Sequence, residues 1–323
     1  MNRLYKLRLG VLVSFLCPLF LEARNKGEQL DGAEWGFPMH RSINRKACES
    51  LPEPLKTFYM VHQSYLEMHA TDADSRRYAA ADEACRHFID ADHYDQALPL
   101  DSLPLFLDSA LARFGDSFVY AHGIVPYQCL IHTRKLQWAF EHQNMEAILR
   151  YSADLGHYAA DANVPLHTHS NYNGQFTNQW GIHVLWETEL PFYYQDTLES
   201  MLTQGSVVYD IPAYMHQRVE KAHQLASQTL EAERVARRSV PVPAQFAFVW
   251  QGKTRKKMAS WTFAQTYGQR VLASIIEQYT TSVNTVSSLW FTAWVMAGEP
   301  LLPSDHQGQD WPVPIQQESW DHE

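Results

Sequence analysis

From about residue 35 to residue 300, apolar positions recur at three- and four-residue steps, the period of helices that bury one face. That rhythm predicts helices over 42–51, 55–69, 84–89, 106–114, 128–140, 145–162, 198–202 and 213–238, with one or two long ones over 257–297. Pro165 ends the 145–162 pattern, since proline lacks an N–H and pushes the residue before it out of the helical region. Residues 97–105, with two prolines, and Ser239-Val240-Pro241-Val242-Pro243 read as connections. The aromatic stripe Trp261, Phe263, Trp290, Phe291 and Trp294 is expected to pack in the core against the helices that carry the chemistry. Gln269, Arg270, Glu277 and Gln278 make that segment too polar to span a membrane. No internal repeat, Gly-rich phosphate loop or serine nucleophile elbow is found. The fold class expected is all-α, a single multi-helix domain over 35–300, with a Pro-, Gln- and Asp-rich disordered tail over 301–323.

Composition changes this picture in two places. At 323 residues and 46% hydrophobic the chain has enough apolar matter for a large core. A formal net charge of −10 argues against a generic nucleic-acid binder, whose phosphate affinity comes from Lys and Arg. The first residues read as an export signal over 1–23: Arg3, Lys6 and Arg8 precede an apolar run from Leu9 to Leu21. A linker over 24–34 follows, and a periplasmic or secreted protein is expected, with a lipid anchor at Cys17 or an uncleaved membrane anchor as alternatives. Cys48, Cys85 and Cys129 then remain, allowing at most one bridge and implying no disulfide framework.

The chemistry concentrates in 154–187, DLGHYAADANVPLHTHSNYNGQFTNQWGIHVLWE. His157 and Asp161 stand four apart, as do His183 and Glu187, and such pairs share one helix face. His167 lies just past the stop at Pro165, and Asn171-Tyr172-Asn173-Gly174 reads as a loop between two helices. A single His/Asp pair is commonly a salt bridge. Two pairs with a fifth candidate beside them, among Leu155, Tyr158, Leu166, Ile182 and Leu185, point to a metal. Imidazole and carboxylate without thiolate suit catalytic rather than structural zinc.

These residues carry a resemblance. GHYAADANVPLHTH and GIHVLWE, with Arg86-His87-Phe88-Ile89-Asp90 and Trp35-Gly36-Phe37-Pro38-Met39-His40 upstream, resemble the zinc-dependent phospholipase C and single-strand-specific nuclease superfamily. The resemblance implies an all-α enzyme with up to three zinc ions that cleaves phosphate esters. It implies one zinc on Asp72, His87, His157 and Asp161, and a second on His167, His183 and Glu187. A third would rest on Trp35 and His40, with Asp161 bridging two ions. Asp74 competes with Asp72 for the first position. In the family the tryptophan supplies a free α-amino group, so the expected count is two zinc ions, rising to three if processing makes Trp35 the first residue. Asp72 and Asp161 are the expected catalytic carboxylates, and Arg76, Arg77 and Tyr172 the expected substrate contacts. The expected function is phospholipase C-like phosphodiester hydrolysis, with zinc-bound hydroxide attacking phosphorus. The glutamate that ends the last pair favours that arm, whereas the Trp-x4-His start favours the alternative, a single-strand nuclease or 3'-nucleotidase. A non-catalytic exported zinc-binding protein is the remaining alternative. The substrate is a phospholipid headgroup or a single-stranded nucleic acid, and no obligate protein partner is expected.

Overall fold

Helix follows helix in nearly the order that the apolar periodicity predicts. The computed structural model describes residues 36–94, 100, 102–251 and 253–302. The expected signal, the linker, Trp35 and the tail beyond residue 302 lie outside the described residues. The chain opens with α1 (Phe37–Glu49), α2 (Leu55–Val61), α3 (Gln63–Met68), α4 (Asp72–Arg76) and α5 (Ala91–Tyr94). Next come α6 (Leu107–Phe114), α7 (Asp116–Ala121), α8 (Val125–Glu141) and α9 (Met145–Asp161). Three short helices, α10 (Ile182–Val184), α11 (Leu190–Tyr193) and α12 (Gln195–Glu199), then lead into α13 (Ile211–Ser239) and α14 (Trp261–Met296). A π-helical turn, Leu185–Glu189, joins α10 to α11.

Local chemistry explains the boundaries. Asn144, Asp210 and Ser260 cap α9, α13 and α14, each side-chain oxygen accepting a backbone N–H of the first turn. Pro126 and Pro212 occupy first-turn positions whose N–H has no helical partner. The mostly helical fold carries one departure among the described residues. Strand β1 (Phe246–Gln251) pairs antiparallel with β2 (Thr254–Ala259), Phe246 opposite Ala259 and Gln251 opposite Thr254. The last helix therefore starts at Trp261 rather than near 257, and it runs as one helix. Alternation of Phe246, Phe248 and Trp250 is the period-2 signal for that strand.

At the centre of the fold is α9. Fifteen of its residues are buried, which is expected only of a helix packed on all sides, and α1, α8 and α14 surround it. Trp290 of α14 is fully buried; its indole N–H donates to Ser152 O at 3.0 Å, and its ring stacks on Tyr59 at 4.8 Å. Phe263 and Trp294 are buried too, so most of the aromatic stripe is core, but Trp261 is partly exposed. Cys48, Cys85 and Cys129 are buried free thiols. No helix among the described residues is long and apolar enough to cross a membrane.

The seam between α1 and α9 sets the position of the chemistry. Asn44, fully buried, donates its amide to Leu66 O and Ala153 O. A Cβ at Gly156 would lie 2.0 Å from its Oδ1. Gly156 is thus the gap that lets α1 close on α9 next to His157. Gly156→Ala gains about 1 kcal/mol in helix propensity, but overpacking against a doubly bonded amide costs about 1–3 kcal/mol. The expected net loss is up to about 2 kcal/mol, read as a lower urea midpoint; a higher midpoint would refute this view of the seam.

Candidate metal centre

Asp161 closes α9 inside a ring of imidazoles. Its Oδ2 lies 3.0 Å from His87 Nδ1 and 3.2 Å from His157 Nε2. Its Oδ1 lies 3.3 Å from His40 Nε2 and 3.7 Å from His167 Nδ1. The two oxygens of one carboxylate therefore face two different sets of histidines. His157 Nε2 and His87 Nδ1 are 3.0 Å apart, and Asp74 Oδ1 stands 3.7 Å from each. Four-coordinate zinc with bonds of about 2.0–2.1 Å spaces its ligands roughly 3.3 Å apart; Asp74, His87 and His157 lie close enough together to share one ion, and Asp161 Oδ2 stands beside the two histidines.

A second group gathers on the other side. His183 Nε2 is 2.7 Å and His167 Nε2 3.5 Å from Glu187 Oε2, and Glu187 Oε1 is 3.9 Å from His40 Nε2. The π-helical turn carries Glu187 here, a helix defect often found at functional sites. Gly36, at φ 105°, packs so closely that a Cβ would lie 3.2 Å from Glu187 Oε1. The chain just before His40 is thereby drawn onto the same carboxylate.

Outer contacts aim the rings inward. His157 donates its Nδ1–H to Ala70 O at 2.8 Å, and His167 donates its Nδ1–H to His87 O at 2.5 Å. Each ring thus presents its Nε2 lone pair to the cluster, the usual arrangement behind metal-bound histidine. Buried His167 Nε2, which faces Glu187 Oε2 at 3.5 Å, has no hydrogen-bond partner. Buried polar atoms without partners are costly, and an imidazole lone pair aimed at carboxylates is the donor a divalent ion takes. The residues fit zinc.

Electrostatics agree. Burial alone would raise the Asp161 carboxyl, but His167 and His157 hold it well below the usual range. Burial disfavours the charged form of His167, yet Asp161 and Glu187 raise it to about 10. His87 and His157 are raised in the same way against burial, chiefly through Asp161. The site attracts positive charge, whether protons or a cation.

The expected residues do not all meet. Asp72 does not join the cluster: its carboxylate accepts from His69 Nδ1 at 2.7 Å. Asp74, two residues on, takes the place expected of Asp72. Arg76 is also drawn away from the cleft, donating to Asp154 at 2.9 Å and to the Tyr158 hydroxyl at 3.2 Å. Tyr158 in turn donates to Glu83. Arg77 does line the cleft, with Nη1 3.2 Å from Asp74 Oδ1. Tyr172 lines it as well, half exposed and edge-on to His183. Trp35 lies outside the described residues. Glu83 is a residue that sequence reasoning missed: it stands 3.5 Å from His87 Nε2, behind the ring. Its pKa falls to about 2, because His87, Arg76 and Tyr158 outweigh burial. The signal was its position four residues before His87.

The cleft over these residues has a volume of about 590 Å³ and reaches from Phe37 and His40 to Tyr172 and Val184. Size and lining suit a small charged group rather than an extended apolar chain.

No protein-family model matches this chain, and no curated protein matches it in sequence. Among solved structures it is similar to the alpha toxin from Clostridium absonum, with a TM-score of 0.47 and 13% identity over 81% of this chain and 64% of the toxin. It is similar to the alpha-toxin of Clostridium perfringens from avian strain SWCP as well, with a TM-score of 0.47 and 14% identity over 81% of this chain and 66% of that one. The chain spans less than two thirds of either toxin.

Three predictions follow from the geometry. Asp74→Asn should weaken zinc binding by about tenfold or more, while Asp72→Asn leaves it nearly unchanged; elemental analysis after dialysis decides, and the reverse order would restore Asp72. Chelation should lower the melting temperature by on the order of 10 °C, because ligand-linked stability is lost; an unchanged melt of metal-free protein would contradict this. The third concerns Glu189, buried with an unpartnered Oε2, whose pKa burial raises to about 7 against a hydrogen bond from the Ala259 backbone. A carboxyl raised in the folded state loses stability as pH climbs from the unfolded value near 4.5 through 7. Glu189→Gln should match the parent near pH 4 and grow increasingly more stable than it up to pH 8, by urea melts at each pH.

Proposed function

We propose that this protein is a zinc-dependent phosphodiester hydrolase of phospholipase C type. The observation that carries the reading is Asp161, whose Oδ2 faces His87 and His157 and whose Oδ1 faces His40, so that it suits a bridge between the first ion and one on His40. Asp74, His87 and His157 would hold the first ion with Asp161, and His167, His183 and Glu187 the second. A third ion on His40 would need Trp35 as the first residue of an exported, processed chain. Zinc supplies Lewis acidity and lowers the pKa of a coordinated water towards neutrality.

The remaining roles belong to the chain. Arg77, at the cleft wall, would hold a phosphoryl oxygen while its contact with Asp74 keeps the guanidinium in place. Asp74 and Asp161 would accept hydrogen bonds from the attacking water and orient it towards phosphorus. His40 and Glu187 close the inner wall and exclude bulk water. Glu83 holds His87 in one orientation, and Arg76 with Tyr158 and Asp154 holds Glu83.

A single-strand nuclease or 3'-nucleotidase is the second reading, favoured by one observation: Tyr172 presents a half-exposed ring at the cleft, where a base could stack. The test is turnover of a chromogenic phosphodiester with added zinc, abolished by chelator. Phosphatidylcholine and single-stranded DNA run in parallel then separate the two substrates. Full zinc loading with no turnover of any phosphodiester would leave a non-catalytic zinc-binding protein.

A further inference from the structure

Residues 234–276 contain eight Lys and Arg and no Asp or Glu, in a chain of formal net charge −10. The β1–β2 hairpin lies in the middle of this stretch and pairs with no other strand among the described residues. Cross-strand partners share a face, so Phe248 sits beside Lys257 and Trp250 beside Arg255. Phe248 is 57% exposed and Trp250 69%. The Arg255 guanidinium lies 4.4 Å over the Phe248 ring, and the Lys257 ammonium 3.5 Å over the Phe246 ring. At the hairpin base, partly exposed Trp261 meets Tyr193 edge-on at 4.7 Å. Aromatic rings interleaved with cations are thus left open to solvent on one ribbon.

We propose that this aromatic, cationic face docks the protein on an anionic phospholipid bilayer. Charge complementarity selects the occupant: a local excess of positive charge on an acidic protein is drawn to anionic headgroups. Trp and Phe favour the headgroup boundary, and the Lys and Arg stems can lie along the apolar layer with their charges in water. A second copy of the chain is disfavoured, because like faces would bring their cations together. Single-stranded nucleic acid is less favoured than lipid. It binds by stacking bases on open ring faces, and Phe246 and Phe248 already carry cations on theirs. Ala259, at the end of β2, also donates its backbone N–H to Glu189, two residues from Glu187. The hairpin is therefore anchored to the segment that forms the cleft wall. The purpose of docking rests on the phospholipase-like reading; the binding itself does not.

The test is cosedimentation of the full zinc-loaded chain with vesicles of phosphatidylglycerol and phosphatidylcholine, or of phosphatidylcholine alone, in short incubations in the cold. Strong partitioning onto the anionic vesicles only is expected. Arg255→Gln with Lys257→Gln should lower it by roughly 25-fold, at about fivefold per cation, and Trp250→Ala by about tenfold or more. Turnover of a soluble chromogenic phosphodiester should stay unchanged in all variants. Unaltered partitioning in the variants, or none in the parent, would overturn the proposal. Tighter binding to single-stranded DNA than to vesicles, lost in the same variants, would overturn it in favour of nucleic acid. Absent turnover with normal docking would remove the hydrolase reading and leave the lipid surface standing.

Discussion

A carboxylate with both oxygens buried among four imidazoles is the constraint on which the rest of the structure depends. Asp161 is only 1% exposed, and an unpaired charge at such depth would be prohibitive. The surrounding histidines answer its charge, and they come from α1, the turn before α5, α9 and the segment after Pro165. Closing this ring is therefore a tertiary act. Each helix that brings an imidazole must stop at a fixed depth, and the packing of α9 against α1, α8 and α14 sets that depth.

Around the ring runs a second layer that orients rather than binds. Backbone carbonyls of Ala70 and His87 take the outer N–H of His157 and His167. Glu83 backs His87, and Arg76, Tyr158 and Asp154 in turn back Glu83. Such a chain of charge-assisted hydrogen bonds narrows the freedom of the inner side chains, so less ordering would remain to be done if an ion binds. It also draws Arg76 away from the cleft, towards Asp154 and Glu83. Arg76 neutralises carboxylates behind the site, and Arg77 is left to face the cleft.

Charge is distributed in opposition across the molecule. Carboxylates and imidazoles concentrate at the cleft, and an acid-free cationic stretch runs through the hairpin. The two regions meet where Glu189 accepts from Ala259. Burial raises the pKa of the carboxyl at that junction to about 7.

The sequence by itself determined the helical rhythm, the stop at Pro165 and the pairs His157/Asp161 and His183/Glu187. All of these follow from the 3.6-residue period and the missing N–H of proline, which are local facts. The placing of His87 and His40 near the same centre was legible only through resemblance, because no local rule joins residues so far apart in the chain. Tertiary structure decided between Asp72 and Asp74. Two residues apart on a helix they point in nearly opposite directions, by about 200°, and only the docking of α4 shows which one faces His87. It also decided the fate of Arg76, which depended on where Glu83 and Asp154 came to lie. The hairpin at 246–259 was not expected: Phe246, Phe248 and Trp250 alternate, but the lysines and arginines after them suit a helix as well as a strand, and a helix was expected from 257. That the aromatic face stays open to solvent could be known only once every neighbouring helix had found its partner elsewhere.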